Sequence, residues 1–340
     1  MKQLKIADIA EMAGVSTSTA ARIISGKGYA SEAKRRAVEK VLKKVDYTPN
    51  IIAQELRSQR TSIIGHVVSS DYNNPYFARI GTALDKASEE NGYHLLTVFR
   101  QESAESEQKL VEELARRMVA GIIFTGEVVS SPDFIEKLIK RGLPIIMIER
   151  PVDVDGITKI LLDNYEGASN SAIHLIENGH GNVGFIGVWQ QPVQEVENQR
   201  YRGFFDKCRQ MGLEEDSIHR VFVKDYHREE GYKGIKKILE SKNPPSAVFV
   251  ASDILASGVL QYLYEKKIRV PEDISITSCD DSLSDTLAPR LDSVSFPMEE
   301  IGRLAVNMIL EQSMNEHAVP KKIILGTKLI KKGSVAKIKR

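Results

Sequence analysis

From about residue 61 onward, short apolar runs alternate with longer amphipathic stretches. The runs Ile63–Val68, Leu95–Val98, Gly121–Phe124, Pro144–Ile148, Val183–Gly187, Ala247–Val250 and Ile274–Thr277 are rich in β-branched and aromatic residues. Between them, 76–91, 105–118, 133–141, 165–178, 199–211, 228–240 and 254–267 carry apolar residues at helical spacing. Strands alternating with helices specify parallel, doubly wound sheets, because each crossover helix must cover a sheet face. About 270 residues is long for one such sheet. Two similar lobes with a cleft between them fit better, and a ligand would lie beyond the carboxyl ends of the strands.

The first 60 residues have a different character. They carry 12 Lys and Arg against 6 Asp and Glu, whereas 61–330 carries 30 against 40. The last ten residues add 5 basic and no acidic groups. A basic head on an acidic body points to a polyanion met by the head alone. The chain as a whole, with 42% apolar and 27% charged residues, has the composition of a globular protein. No apolar run reaches the ~18 residues of a membrane span, and Met1–Lys5 opens no signal-peptide core, so the expected location is the cytoplasm. Two cysteines, Cys208 and Cys279, make neither a disulfide framework nor a metal cluster.

Within the head, Ile6, Ile9, Ala10 and Ala13 recur at helical spacing and Gly14 supplies a C-terminal cap. Ser16 can cap a second helix, Thr17 to Ser25, with Ala20, Ile23 and Ile24 inward. A third runs from about Ser31 to Val45, with Ala33, Ala37, Val38, Val41 and Leu42 inward and most of its Lys and Arg outward. Helix, tight glycine turn, short helix and supporting helix is the helix-turn-helix arrangement, whose second helix enters the major groove by its N-terminal end. Thr17 and Ser18 would face bases or phosphates there, with Arg22 one turn further along. Ser16 and Thr19 complete this expected DNA-contacting set.

Lys5-Ile6-Ala7-Asp8-Ile9-Ala10-Glu11-Met12-Ala13-Gly14-Val15-Ser16, then Arg22-Ile23-Ile24 and Tyr47-Thr48-Pro49-Asn50, resemble the head of the lactose-repressor family of bacterial transcription regulators. The resemblance continues through the body. Asn74-Pro75-Tyr76-Phe77, Glu177-Asn178-Gly179-His180 before Val183–Gly187, Arg200-Tyr201-Arg202-Gly203-Phe204, Ser252-Asp253, Cys279-Asp280-Asp281 and Pro289-Arg290-Leu291 all have family counterparts. One departure is Thr19-Ala20-Ala21-Arg22, where the family usually has Thr-Val-Ser-Arg; Ala21 removes a hydroxyl suited to a phosphate. The resemblance implies four regions: a helix-turn-helix head over 1–46, a hinge helix or linker over 47–60, a two-lobe effector-binding and dimerisation domain resembling periplasmic binding proteins over 61–330, and a basic tail over 331–340.

Pro49 stops the third helix and Asn50 can cap a short helix from Ile51 to about Arg57, too short to persist alone in water. Ala53 and Leu56 share one face of it. The segment reads either as a plain linker or, by the resemblance, as a hinge helix that pairs with its two-fold mate and wedges Leu56 into the minor groove. Asn50, Ala53 and Leu56 are therefore expected DNA contacts.

The effector-binding residues expected on this resemblance are Ser69, Tyr76, Phe77, Glu149, Asp163, Arg200, Asp253 and Asp280. Asp253 and Asp280 can each accept from neighbouring hydroxyls. Arg200 can present a two-pronged donor to ring or hydroxyl oxygens, or to a carboxylate or phosphate. Tyr76 and Phe77 can offer aromatic faces to a sugar ring. Glu149 and Asp163 follow strand runs, and Ser69 ends the first strand.

Other motifs fail on context. Gly179-His180-Gly181-Asn182-Val183-Gly184 fits a dinucleotide fingerprint, but a helix precedes it and a strand follows it, the reverse of the required order. No nucleophile elbow, Walker loop, histidine pair or cofactor cradle is present, so neither catalytic nor metal-binding residues are expected, and no cofactor. The expected protein is a homodimeric repressor of carbohydrate-utilisation genes, not an enzyme. Operator DNA and a sugar or sugar-derived effector are its expected partners, without a membrane. The alternatives are an extracytoplasmic-type solute-binding protein, or a regulator triggered by a partner protein.

Overall fold

The computed structural model describes residues 4–25, 29–45, 61–68, 74–99, 103–126, 130–149, 154–188, 195–315 and 317–338. The chain divides into two compact units, Met1–Arg60 and Thr61–Arg340. The sequence-based hinge, with Asn50, Ala53 and Leu56, lies outside the described residues, as does Ser69.

The head holds three helices, α1 (Ile6–Ala13), α2 (Thr17–Ser25) and α3 (Glu32–Val45). The Asp8 carboxylate accepts the Lys5 backbone N–H at 2.7 Å and fixes the start of α1. Gly14, at φ 64°, ends that helix in the left-handed region, and the Val15 N–H reaches back to the Ala10 carbonyl at 3.0 Å. Ile9, Ile23 and Val38 form the small core between the three helices. Ala33, expected inward, is exposed. The core begins one turn later, at half-buried Ala37 and buried Val38, because the first turn of α3 overhangs it.

The second unit contains two six-stranded sheets with helices on both faces. Lobe 1 is built from β1 (Ile63–Val68), α4 (Pro75–Glu90), β2 (His94–Phe99), α5 (Ala104–Arg116), β3 (Ile122–Thr125), α6 (Pro132–Lys140), β4 (Ile145–Ile148) and β5 (Thr158–Leu162). The chain then enters lobe 2 through α7 (Asn164–Glu177), β6 (Val183–Val188), α8 (Glu195–Gln210), β7 (Ile218–Val223), α9 (Arg228–Leu239), β8 (Ala247–Val250), α10 (Asp253–Glu265), β9 (Ser275–Asp280) and β10 (Asp292–Ser295). It returns to lobe 1 with α11 (Met298–Met314) and β11 (Lys322–Leu325), and crosses again to place β12 (Lys328–Ile330) on the second sheet. The sheet orders are β11-β5-β4-β3-β1-β2 and β12-β10-β9-β8-β6-β7, and only the β10–β12 pairing is antiparallel. Three segments therefore connect the lobes, after β5, β10 and β11.

One apolar core lies between α5, α6 and the first sheet, around Val111, Leu114, Ile122, Phe124 and Ile135. Another joins Ile235, Val248, Leu255, Val259 and Ile276 under α9 and α10. The largest runs through both lobes, from Ile64, Ile80 and Ile123 to Phe185, Phe204 and Phe249. Helices α9 and α10 pack with their backbones nearly touching. A Cβ on Gly231 would lie 1.9 Å from the Leu255 carbonyl oxygen, and one on Gly258 would lie 1.8 Å from that of Arg228.

Two expectations need correction. β5, β7, β10, β11 and β12 were not read from the sequence. β7 alternates buried and exposed residues at a sheet edge, with His219 and Arg220 interrupting its apolar character. Nor is 331–340 a free tail along its described part: the Ser334 N–H donates to Asp292 Oδ1 at 3.1 Å and the Ile338 N–H to the Asn178 carbonyl at 2.8 Å.

Candidate functional site

Two surfaces gather the predicted residues. On the head, Ser16, Thr17, Ser18 and Arg22 are exposed at the N-terminal half of α2, and Thr19 is half-buried. The Ser16 hydroxyl contacts the Thr19 hydroxyl at 2.8 Å and that of Ser18 at 3.1 Å, and it accepts the Thr19 N–H at 3.3 Å. Ser16 and Thr19 are thus occupied in capping the helix, while Thr17, Ser18 and Arg22 present polar groups outward. The buried residue here is Ala20, which turns this face away from the core. Ala21 is half-buried.

Between the lobes, Tyr76, Glu149, Arg200 and Asp280 come together, all nearly inaccessible to solvent. Glu149 follows β4 and Asp280 ends β9, and these strands hold the same position in their respective sheet orders. Both residues adopt left-handed backbone, at φ 67° and 83°. For side chains of this kind that conformation is held only when the surroundings over-determine it, and such residues cluster at functional sites. Arg200, from α8, donates through Nε to Asn164 Oδ1 at 2.7 Å and through Nη1 to the Ala251 carbonyl at 3.0 Å. Its Nη2 lies 3.5 Å from Glu149 Oε1, across the cleft. The guanidinium also sits 5.6 Å above the ring of Phe296, at the second connector. Tyr76 meets Phe296 edge-on at 6.2 Å, and its buried hydroxyl has no hydrogen-bond partner of normal geometry. Burial and then the Glu149 charge hold the Tyr76 hydroxyl well above its usual pKa.

Asp253 and Asp280 face the same region from lobe 2. The Asp253 carboxylate accepts from the hydroxyls of Ser278 (2.6 Å) and Ser293 (3.0 Å) and from the Leu283 and Ser284 N–H groups, both at 2.8 Å. Its acceptor capacity is spent on β9, β10 and the loop between them, which corrects the expectation that it binds effector hydroxyls directly. Asp280 accepts the Ser282 N–H at 3.0 Å and, weakly, the Asp253 N–H at 3.4 Å. Burial, reinforced by the neighbouring Asp253 charge, pushes its carboxyl up to about 8. Asp280 therefore holds a proton more tightly than a solvated carboxyl does.

Asp163 and Phe77 do not join this group. Asp163 caps α7, accepting the Glu166 N–H at 2.8 Å. Phe77 instead lines a cavity of about 290 Å³ within lobe 1, with His66, Asn74, Thr97 and Phe99. Adjacent helical positions diverge by about 100°, so only Tyr76 points to the cleft. Asn164, Phe296 and Ala251 were missed in the sequence. Asn164 follows β5, a strand not recognised there, and Phe296 follows β10, another.

The buried thiols of Cys208 and Cys279 are each pushed up to about 12 by burial, which leaves them unreactive. Among the described residues no three His, Cys, Asp or Glu side chains are grouped to hold a metal ion, and no helix is long and apolar enough to cross a membrane.

Residues 5–50 match the bacterial regulatory proteins of the lacI family, and residues 172–335 match a periplasmic binding protein-like domain. The regulator NtdR of Bacillus subtilis, named for the NTD biosynthesis operon, is 30% identical over 96% of this chain and 98% of its own. The chain belongs to the lacI family. The repressor PurR of Mannheimia succiniciproducens is likewise 30% identical, over 98% of this chain and 99% of its own. The solved complex of the transcriptional regulator CelR with cellobiose superposes with a TM-score of 0.71 at 26% identity, covering 97% of this chain and 99% of CelR. The lac repressor dimer on its operator shares the fold, with a TM-score of 0.82 at 21% identity over 98% of this chain and 100% of its own. This lacI-family chain is accordingly a DNA-binding transcription regulator and not an enzyme, with a helix-turn-helix head and a two-lobe α/β domain.

Proposed function

We propose that this regulator is a cytoplasmic, homodimeric repressor of carbohydrate-utilisation genes, released from or recruited to its operator by a small, uncharged, hydroxyl-rich effector held between the lobes. The observation that carries the effector class is the state of Arg200. Its guanidinium already meets Asn164, Ala251 and Glu149, with the carboxyl of Asp280 close by. A carboxylate or phosphate entering this site would have to displace Glu149 from Arg200 in a dry setting, where unpaired charge is costly. A neutral polyol would instead find hydrogen-bonding partners in Asp280 and the Tyr76 hydroxyl, and the ring of Phe296 beside them. CelR, with a cellobiose complex, supports the sugar reading.

In this reading Thr17, Ser18 and Arg22 contact the operator, Asn50, Ala53 and Leu56 form the hinge, and Ser69 completes the effector site. Effector and operator then change each other's affinity by the same factor.

The test is a fluorescence titration of the full-length protein on an operator fragment selected from a random pool, at fixed salt. Cellobiose, neutral monosaccharides, their 6-phosphates and their uronic acids are added in turn. Neutral sugars are expected to shift operator affinity and the anionic forms are not. A response to anions alone would refute the effector class; silence across the whole set would refute control by sugars.

A further inference from the structure

The segment Lys332–Ile338 is fixed along its length against lobe 2. Asp292 Oδ1 gathers the backbone N–H groups of Lys332 (2.5 Å), Gly333 (2.7 Å) and Ser334 (3.1 Å), while its Oδ2 meets His174 Nε2 at 2.8 Å. The Ser334 hydroxyl donates to the Ile276 carbonyl at 2.5 Å, and the Ala336 carbonyl lies 3.1 Å from His180 Nε2. Anchored this way, the Lys332 side chain is 7% exposed, with its ammonium on the carboxylate of Asp281, the hydroxyl of Ser284 and, at 3.2 Å, the carboxylate of Asp285.

The loop that Lys332 holds, 281–285, is gripped from its other side by the effector site. Asp253 Oδ2 accepts the Leu283 and Ser284 N–H groups, and the Asp281 N–H donates to the Ser293 hydroxyl at 3.2 Å. Asp281 stands at φ 56°, directly after Asp280 at φ 83°. Two successive left-handed residues with side chains relax unless their surroundings hold them. The Asp281 carbonyl, finally, accepts a hydrogen bond from Arg79 Nη1, which belongs to α4 in lobe 1.

We propose that Lys332 is a positioning residue for the effector site: it holds the 281–285 loop where the Asp281 carbonyl meets Arg79, so that lobe closure depends on a C-terminal strap outside the cleft. The ammonium ties both ends of the loop to the strap. Without it, Asp281 and Asp285 lose the cation they share. The loop would then turn its carbonyl away from lobe 1. The use of this latch in regulation rests on the effector reading above; its geometry does not.

The experiment measures the lobes directly. Exposed Lys137 of lobe 1 and Lys237 of lobe 2 are each replaced by cysteine and spin-labelled in the full-length protein, the native thiols being buried. Inter-label distances are then read by pulsed electron resonance without any sugar. Lys332→Met and Arg79→Met are each expected to shift the distribution to longer distance, the pair together no further than either alone, and Lys332→Arg is expected to retain the original distance. An unchanged distribution in Lys332→Met, whatever its melting temperature, overturns the positioning role; unchanged distances in Arg79→Met as well overturn the latch. Should Lys332→Met fail to fold, Asp285→Asn removes one of the ammonium's partners at an exposed site. It is expected to give a smaller shift in the same direction, and a distribution like that of the parent protein overturns the proposal. Cellobiose is added last: distances that respond to the substitutions but not to the sugar uphold the latch and count against the effector reading alone.

Discussion

Glu149 and Arg200 meet across the cleft from opposite lobes, Oε1 to Nη2 at 3.5 Å, with both side chains buried. A buried pair of this kind contributes modestly while intact, yet removing one partner strands the other charge. Glu149→Ala is therefore expected to lower stability by about 3 kcal/mol and to abolish the effector response. Glu149→Gln, which still accepts from Asn164, is expected to lose less. Chemical denaturation of the two variants checks the ranking.

Asp280 carries a pH signature. Its folded-state carboxyl titrates at about 8, above the ordinary range, because burial and then Asp253 disfavour its charge. The folded chain therefore holds a proton that the unfolded chain releases near pH 4, and this residue's contribution to stability falls as pH rises from about 4 to 8. Asp280→Asn removes that loss. Its melting temperature is expected to gain on the parent protein between pH 5 and pH 8 and to level off above that, and a constant difference would contradict the assignment.

His66 acts in the opposite direction. It lies within the first sheet, inaccessible to solvent, with Nδ1 3.2 Å from the Thr97 hydroxyl and Nε2 2.9 Å from that of Thr125. Burial lowers its pKa to about 4. The unfolded chain takes up a proton below about pH 6.5 that the folded chain refuses, so stability is full above that pH and declines toward pH 4. The loss is expected to approach about 3 kcal/mol. His66→Gln is expected to flatten this decline, as read from denaturation curves at pH 7 and pH 5.

The reciprocal glycine contact between α9 and α10 predicts a packing effect. Gly258→Ala places a methyl group against the backbone of Arg228, which cannot move without displacing α9. A cost of about 1–3 kcal/mol is expected, visible as a lower denaturation midpoint with unchanged DNA recognition by the head.

On the DNA side, Arg22 is the long cation on the exposed face of α2. Arg22→Ala is expected to weaken operator binding by ~1–3 kcal/mol. If Arg22 reads a base, the loss is concentrated on one operator position; if it contacts a phosphate, all sequences weaken alike and the salt dependence becomes shallower. A panel of single-base operator variants separates these outcomes.

The legible part of the fold was what local periodicity encodes. The three head helices and the crossover helices of both lobes fall within a few residues of the sequence reading, because each buries a regular stripe against one face. The edge strands were not legible: β7 and β11 alternate or mix charges, so their pairing comes from the neighbouring strand. At the site, Tyr76, Glu149, Arg200 and Asp280 were found because they follow strands or match family positions. The spent acceptor capacity of Asp253 was hidden, since it depends on Ser278, Ser293 and a loop brought near only by folding. For the same reason the terminus read only as a basic tail, although Asp292, 40 positions from Lys332, collects its backbone N–H groups.

The two lobes are joined by three separate stretches of chain. They run from one shared edge, since β5 and β11 are neighbours in the first sheet and β10 and β12 in the second. They act together as one three-ply hinge, about which the halves can open and close. A change in one lobe would therefore reach the other as a change of angle.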